Sequence, residues 1–115
     1  GHKVGDLVLK RFAGQLQASA RPGDLVCRLG GEEFVLLLVD ADQAQATRVA
    51  ERIRHKWQEK PVACDAVQIR SSVSIGIVQA SGLDNETLYS LLDRADRALY
   101  QAKQGGRDQV VSAPV

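Results

Sequence analysis

Long apolar stretches are missing from this chain. The longest, residues 34–39, is far shorter than the roughly 20 residues a membrane helix needs. No segment has the character of a signal peptide, so a cytoplasmic location is expected for the domain, whether or not a longer parent carries a membrane anchor. Excess charge of one sign is absent too. Fifteen basic residues against fourteen acidic ones leave +1, which argues against a nucleic-acid partner and requires any phosphate ligand to be held locally. Cysteine is scarce. Cys27 and Cys64 lie in separate strand-like segments and read as buried free thiols rather than a disulfide or metal pair. Aromatics make up 4%, and Phe12, Phe34 and Trp57 read as core. With no repeat, low-complexity tract or interdomain linker, the 115 residues, 44% of them hydrophobic, describe one globular domain or most of one.

Periodicity supplies the elements. Leu9, Phe12, Ala13, Leu16 and Ala20 recur at helical spacing and predict a helix over residues 7–19, with Asp6 as its N-cap. Arg21-Pro22-Gly23-Asp24 is a turn. Residues 25–29 and the apolar run 34–39 read as two strands, the second covered on both faces. Ala46, Val49, Ala50, Ile53 and Trp57 mark a second helix that Pro61 helps to end. Val67, Ile69, Val73, Ile75 and Ile77 alternate with polar or small residues as one period-two strand, paired at its start with a short strand at 62–64. Gly82-Leu83-Asp84-Asn85 is a loop. Leu88, Leu91, Leu92, Ala95, Leu99 and Ala102 form a third helix, stopped by Gly105-Gly106. A short strand at 109–111 and a frayed tail from Ser112 follow. The order describes an α/β (α+β) sandwich with a mainly antiparallel sheet and helices packed on it.

The chemistry concentrates at Gly30-Gly31-Glu32-Glu33-Phe34. Two glycines between strands form a hairpin turn and let a phosphate approach the main chain. Glu32 and Glu33 sit where the second strand begins, pointing to opposite faces, with different jobs. Paired hard oxygen donors beside a phosphate site suit Mg²⁺. Taken alone, the same residues also describe a solvated hairpin tip.

These residues resemble the hallmark of GGDEF domains, the diguanylate cyclases, in the variant with Glu at the third position. Gly1-His2 through Gly5-Asp6 is similar to another motif of that family, as are Ser74-Ile75-Gly76-Ile77 and the block from Arg94-Ala95-Asp96 through Lys103 to Gly106-Arg107. The resemblance runs from the first residue to Val111 and implies a nucleotidyl-cyclase or polymerase-palm-like fold. It also implies an activity, the condensation of two GTP, held by a homodimer of domains, to cyclic di-GMP and two pyrophosphates. Glu32 is then a Mg²⁺ ligand, and Glu33 supports the metal or assists deprotonation of the 3′-hydroxyl. Gly30 and Gly31 admit the nucleotide. Asp6 accepts from the guanine edge, the alternative being its capping role. Lys103 and Arg107 hold the β- and γ-phosphates, the alternatives being a helix-end charge and a solvated turn residue.

Arg21-Pro22-Gly23-Asp24 matches the family's Arg-x-x-Asp product-inhibition site, five residues before Gly30. Arg21 and Asp24 are expected to bind cyclic di-GMP, with Arg52 as a second arginine. The family's first strand, with its metal-binding aspartate, and the phosphate loop after it would lie upstream of Gly1. Residues 1–115 are therefore expected to be the C-terminal three-quarters of the domain, lacking its first strand and helix, inactive alone and attached to a regulatory domain. A non-catalytic cyclic di-GMP receptor is the alternative, and a plain dimerisation module a third reading.

Overall fold

The computed structural model describes residues 2–81 and 85–113. Its elements are α1 (His2–Ser19), β1 (Leu25–Gly30), β2 (Glu33–Leu37), α2 (Gln43–Glu59), β3 (Val62–Cys64), β4 (Val67–Ile69), β5 (Ile75–Ile77), α3 (Leu88–Gln104) and β6 (Val110–Ser112). The fold is mixed α/β and mostly antiparallel: β1–β2 and β3–β4 pair antiparallel, β5–β6 parallel. Packing divides the chain into two compact units, residues 1–40 with 55–71 and residues 41–54 with 72–115.

In the first unit α1 packs on β1 and β3. Leu16 and Trp57 are buried, and Phe12 meets the rings of Phe34 and Trp57 edge-on at 5.5 and 5.1 Å. Such pairs add about 0.5–1.5 kcal/mol each beyond the area they bury, so these aromatics form the core expected of them. The Trp57 indole N–H is satisfied by Ser71 Oγ at 2.9 Å. α1 begins five residues earlier than its spacing implied, because Val4 and Val8 extend its half-buried stripe backward through Gly5. Asp6 therefore lies inside the helix and is not its N-cap.

The β1–β2 register places Val26 opposite Leu36 and Arg28 opposite Phe34, with Leu25 opposite Leu37 and Cys27 opposite Val35 on the other face. Phe34 turns toward α1. On the other face Leu25, Leu37 and Cys27 are exposed, so β2 is not covered on both sides and Cys27 is not a buried thiol. α1 supplies only one covering layer. Cys64, half-buried, is also a free thiol.

In the second unit β5 and β6 lie parallel and are joined through α3, the crossover that parallel neighbours require. A Cβ on Gly76 would stand 2.4 Å from Leu99 N and 2.5 Å from Ala95 O. The bare glycine thus lets α3 lie directly on β5, beside the buried Ile77, Ala98 and Ala102. Reciprocal capping boxes start α2 and α3, Asp42 with Gln45 on the first and Thr87 with Ser90 on the second. The single strand expected over 67–77 is two strands separated by residues 70–74, because β4 pairs with β3 and β5 with β6. Nor does the chain fray at Ser112, which belongs to β6. The Ala113 N–H continues the pairing by donating to Ile77 O at 2.7 Å. Residues 82–84 of the expected loop and residues 114–115 lie outside the described residues.

Candidate active site

The hairpin tip sits one residue later than its sequence suggested. Gly30, with φ 146°, still belongs to β1 and pairs with Glu33, while Gly31, with φ 52°, and Glu32 form the turn. Positive φ at both glycines explains their presence. Leu29 is skipped in the pairing, a register irregularity that sharpens the approach to the tip. Glu32 therefore projects from the turn and only Glu33 opens β2. Both are exposed, and among the described residues neither carboxylate has a hydrogen-bond or ion-pair partner. A Cβ on Gly30 or Gly31 would meet nothing within 4 Å, so space over the tip is open. Two unspent carboxylates beside accessible backbone fit a hard divalent cation. Among the described residues no cluster of three or more His, Cys, Asp or Glu forms a closed metal cage.

Arg28 is a residue that sequence reasoning missed. Its Nε donates to Gly31 O at 2.8 Å, its Nη2 donates to the same oxygen, and its guanidinium lies 5.9 Å from the Phe34 ring centroid. It thereby pins the turn from below. The signal was its place two residues before Gly30, on the face shared with Phe34.

Arg21 and Asp24 are brought together, and both are tied to Val39. Asp24 Oδ1 accepts the Val39 N–H at 2.9 Å, and Oδ2 accepts the Arg21 N–H at 2.9 Å and faces Arg21 Nε at 3.5 Å. Arg21 Nη2 donates to Val39 O at 2.7 Å. Together they clasp the start of β1 to the chain leaving β2. The N–H groups of Val39 and then Arg21 hold the Asp24 carboxyl below its ordinary value, with the Arg21 charge adding to them. The Asp24 side chain is 1% exposed and that of Arg21 55%, so Arg21 is the accessible member.

Lys103 and Arg107 flank the end of α3. Gly105 caps the helix through its N–H to Gln101 O, Gly106 takes φ 113°, and the Arg107 N–H reaches back to Ala102 O at 2.9 Å. This is a Schellman closure with the expected glycines, Gly106 being the one that needs the positive φ. Lys103 is half-buried in the last turn and Arg107 exposed just beyond it. Among the described residues neither cationic head has a partner. Asp6 is exposed on α1 and Arg52 exposed on α2.

The fold and these motifs define a nucleotidyl-cyclase-type domain. The family profile for "Diguanylate cyclase, GGDEF domain" matches residues 1–109, and the chain belongs to that family. Diguanylate cyclase A of Treponema denticola is 41% identical over 110 residues, covering 96% of this chain and 29% of the relative. The GGDEF domain of YfiN (TpbB) from Pseudomonas aeruginosa superposes with a TM-score of 0.90 at 37% identity, covering all of this chain and 71% of that one. The active GGEEF domain of a diguanylate cyclase from Vibrio cholerae superposes with a TM-score of 0.82 at 28% identity, covering 100% and 72%. The chain thus spans under a third of the length of the curated relatives it matches. No helix among the described residues is long and apolar enough to cross a membrane.

Proposed function

We propose that this chain is part of a diguanylate cyclase domain that joins two GTP molecules into cyclic di-GMP, each 3′-hydroxyl attacking the other nucleotide's α-phosphate and expelling pyrophosphate. The observation that carries the reading is the Gly30-Gly31-Glu32-Glu33-Phe34 hairpin with both carboxylates unspent, in a chain matched to the family over residues 1–109. The same Glu-Glu variant occurs in the Vibrio cholerae domain described as active.

In this reading Glu32, at the turn, is the Mg²⁺ ligand. Bound Mg²⁺ would neutralise charge developing on the phosphates. Glu33, the first residue of β2, supports that ligand or accepts the 3′-hydroxyl proton. Gly30 and Gly31 leave the main chain open to the nucleotide. Asp6, freed of a capping role, accepts N–H donors of guanine, for which an ionised carboxylate is the right partner. Lys103 and Arg107 carry the charge that the β- and γ-phosphates require. Two domains, each presenting one GTP, make the reaction symmetric, so a homodimer is implied. The upstream part of the domain and an attached regulatory domain belong to the same proposal.

Product feedback is the second part. Arg21 offers an exposed guanidinium able to fork onto a phosphate or a guanine edge, while Asp24 holds the clasp that aims it. Arg52 is the further arginine assigned to cyclic di-GMP. The test is to incubate the full-length protein with GTP and Mg²⁺ and resolve the products by chromatography. Cyclic di-GMP with two pyrophosphates per product is expected; binding of added cyclic di-GMP without turnover would replace the enzyme by a receptor.

A further inference from the structure

Three consecutive residues after α3 hold positive φ: Gly106 at 113°, Arg107 at 62° and Asp108 at 48°. For glycine this is ordinary, and aspartate tolerates it. An arginine there is uncommon and persists only where the surroundings fix it. The Schellman bond from Arg107 N–H to Ala102 O fixes the near side. On the far side the Asp108 N–H donates to Ser74 Oγ at 3.1 Å, and the Ile75 N–H donates to Gln109 O at 2.9 Å.

The remaining restraint comes from 54 positions away. Arg54 Nη1 donates to Asp108 Oδ1 at 2.9 Å and approaches Asp108 O at 3.5 Å. The other edge of the same guanidinium is held by Glu51 Oε2, at 2.7 Å from Nη2 and 3.1 Å from Nε. Arg54 is 16% exposed at its side chain, so this planar fork is fixed between two carboxylates on a largely covered face. A lysine could not serve both edges with that geometry.

We propose that Arg54, braced by Glu51, acts through Asp108 as a positioning residue for Arg107, setting the direction in which the Arg107 side chain leaves the main chain toward the terminal phosphates of GTP. The inference rests on the phosphate role proposed for Arg107. It predicts that Arg54, which needs no contact with nucleotide, controls affinity for the β- and γ-phosphates and not for the guanosine part.

The test uses the full-length protein and calorimetric titration with 3′-deoxy-GTP, which lacks the attacking hydroxyl, and with GMP, which lacks the terminal phosphates. Arg107→Ala and Arg54→Ala should each weaken 3′-deoxy-GTP about tenfold, the scale of one charge-assisted hydrogen bond. GMP affinity should stay unchanged. The double variant should bind no more weakly than Arg107→Ala alone, since Arg54 then has nothing left to aim. Equal losses for GMP and 3′-deoxy-GTP, or additive losses in the double variant, would reduce Arg54 to general scaffolding and overturn the proposal. If Arg107→Ala weakens binding and Arg54→Ala does not, positioning fails while the phosphate role stands. If Arg107→Ala itself has no effect, the phosphate role fails and the positioning inference falls with it. Should Arg54→Ala melt below the assay temperature, Asp108→Asn takes its place, because asparagine keeps the left-handed backbone and removes the charge that Arg54 grips. Unchanged 3′-deoxy-GTP affinity in folded Asp108→Asn overturns the proposal.

Discussion

Gly76→Ala offers a sharp test of how the second unit is packed. The added methyl would stand 2.4 Å from Leu99 N, 2.5 Å from Ala95 O and 2.9 Å from Leu99 Cα. All three are backbone atoms of α3, so no side chain can swing away. α3 would have to lift by about 1 Å to restore ordinary contact, loosening Ala98 and Ala102 against β5. Overpacking of this kind costs about 1–3 kcal/mol, and the rigidity of the α3 backbone places Gly76→Ala near the upper end, about 3 kcal/mol. At roughly 4 °C per kcal/mol for a domain of this size, its melting temperature should fall by about 12 °C. Gly14→Ala is the matched control. Gly14 lies inside α1 with nothing within 4 Å of its would-be Cβ, so alanine there should stabilise by about 0.5–1 kcal/mol. Urea unfolding of both variants gives the two signs. Gly76→Ala within about 0.5 kcal/mol of wild type, below the cost of any real overpacking, would refute the close approach of α3 to β5.

Arg21→Ala should weaken cyclic di-GMP binding by about 1.5–3 kcal/mol, roughly tenfold to a hundredfold, while initial rates hold and progress curves stay linear for longer. Titration calorimetry with initial-rate measurement checks it, and equal product affinity would leave the segment an ordinary clasp. Because the Asp24 carboxyl is held below its ordinary 3.8, the clasp contributes stability that is present above that value and is lost as pH falls through the lowered one. Asp24→Asn should therefore destabilise the protein at neutral pH, with the gap from wild type closing in strong acid; denaturant midpoints at pH 7 and below pH 3.8 measure it. Arg28→Ala should loosen the Gly31 turn and lower turnover more than it lowers the melting temperature, since its bonds at the Gly31 carbonyl restrain the tip rather than the core.

What could be read in the sequence was whatever depends on neighbours in the chain. The α3 stripe from Leu88 to Ala102, the Gly105-Gly106 stop, the Phe12, Phe34 and Trp57 core and the hairpin at Gly30 all follow from local periodicity and turn chemistry, and all are present. Features that depend on distant partners were not legible. The alternation from Val67 to Ile77 looks continuous because period two reports the pleat and says nothing of which strand lies alongside, so the switch of partner at residues 70–74 left no trace. Apolar residues 34–39 suggested burial on two faces, yet hydrophobicity cannot count the layers available to cover a strand. At the site, the motif marked Arg21 and Asp24 but not their bonds to Val39, fifteen or more residues away. It likewise marked Lys103 and Arg107 but not Arg54, whose tie to Asp108 exists only once α2 has folded back.

The measurement that bears most directly on the central claim compares wild type with Glu32→Gln in the full-length protein, supplied with GTP and Mg²⁺, reading cyclic di-GMP and pyrophosphate together. The change removes one charge at nearly constant shape from an exposed turn, so fold and Arg21-dependent product binding should persist. Loss of a metal-supported transition-state interaction costs several kcal/mol, which lowers turnover by orders of magnitude. Wild type should give stoichiometric product and Glu32→Gln almost none; turnover by Glu32→Gln within a few-fold of wild type would contradict the metal-ligand role of Glu32.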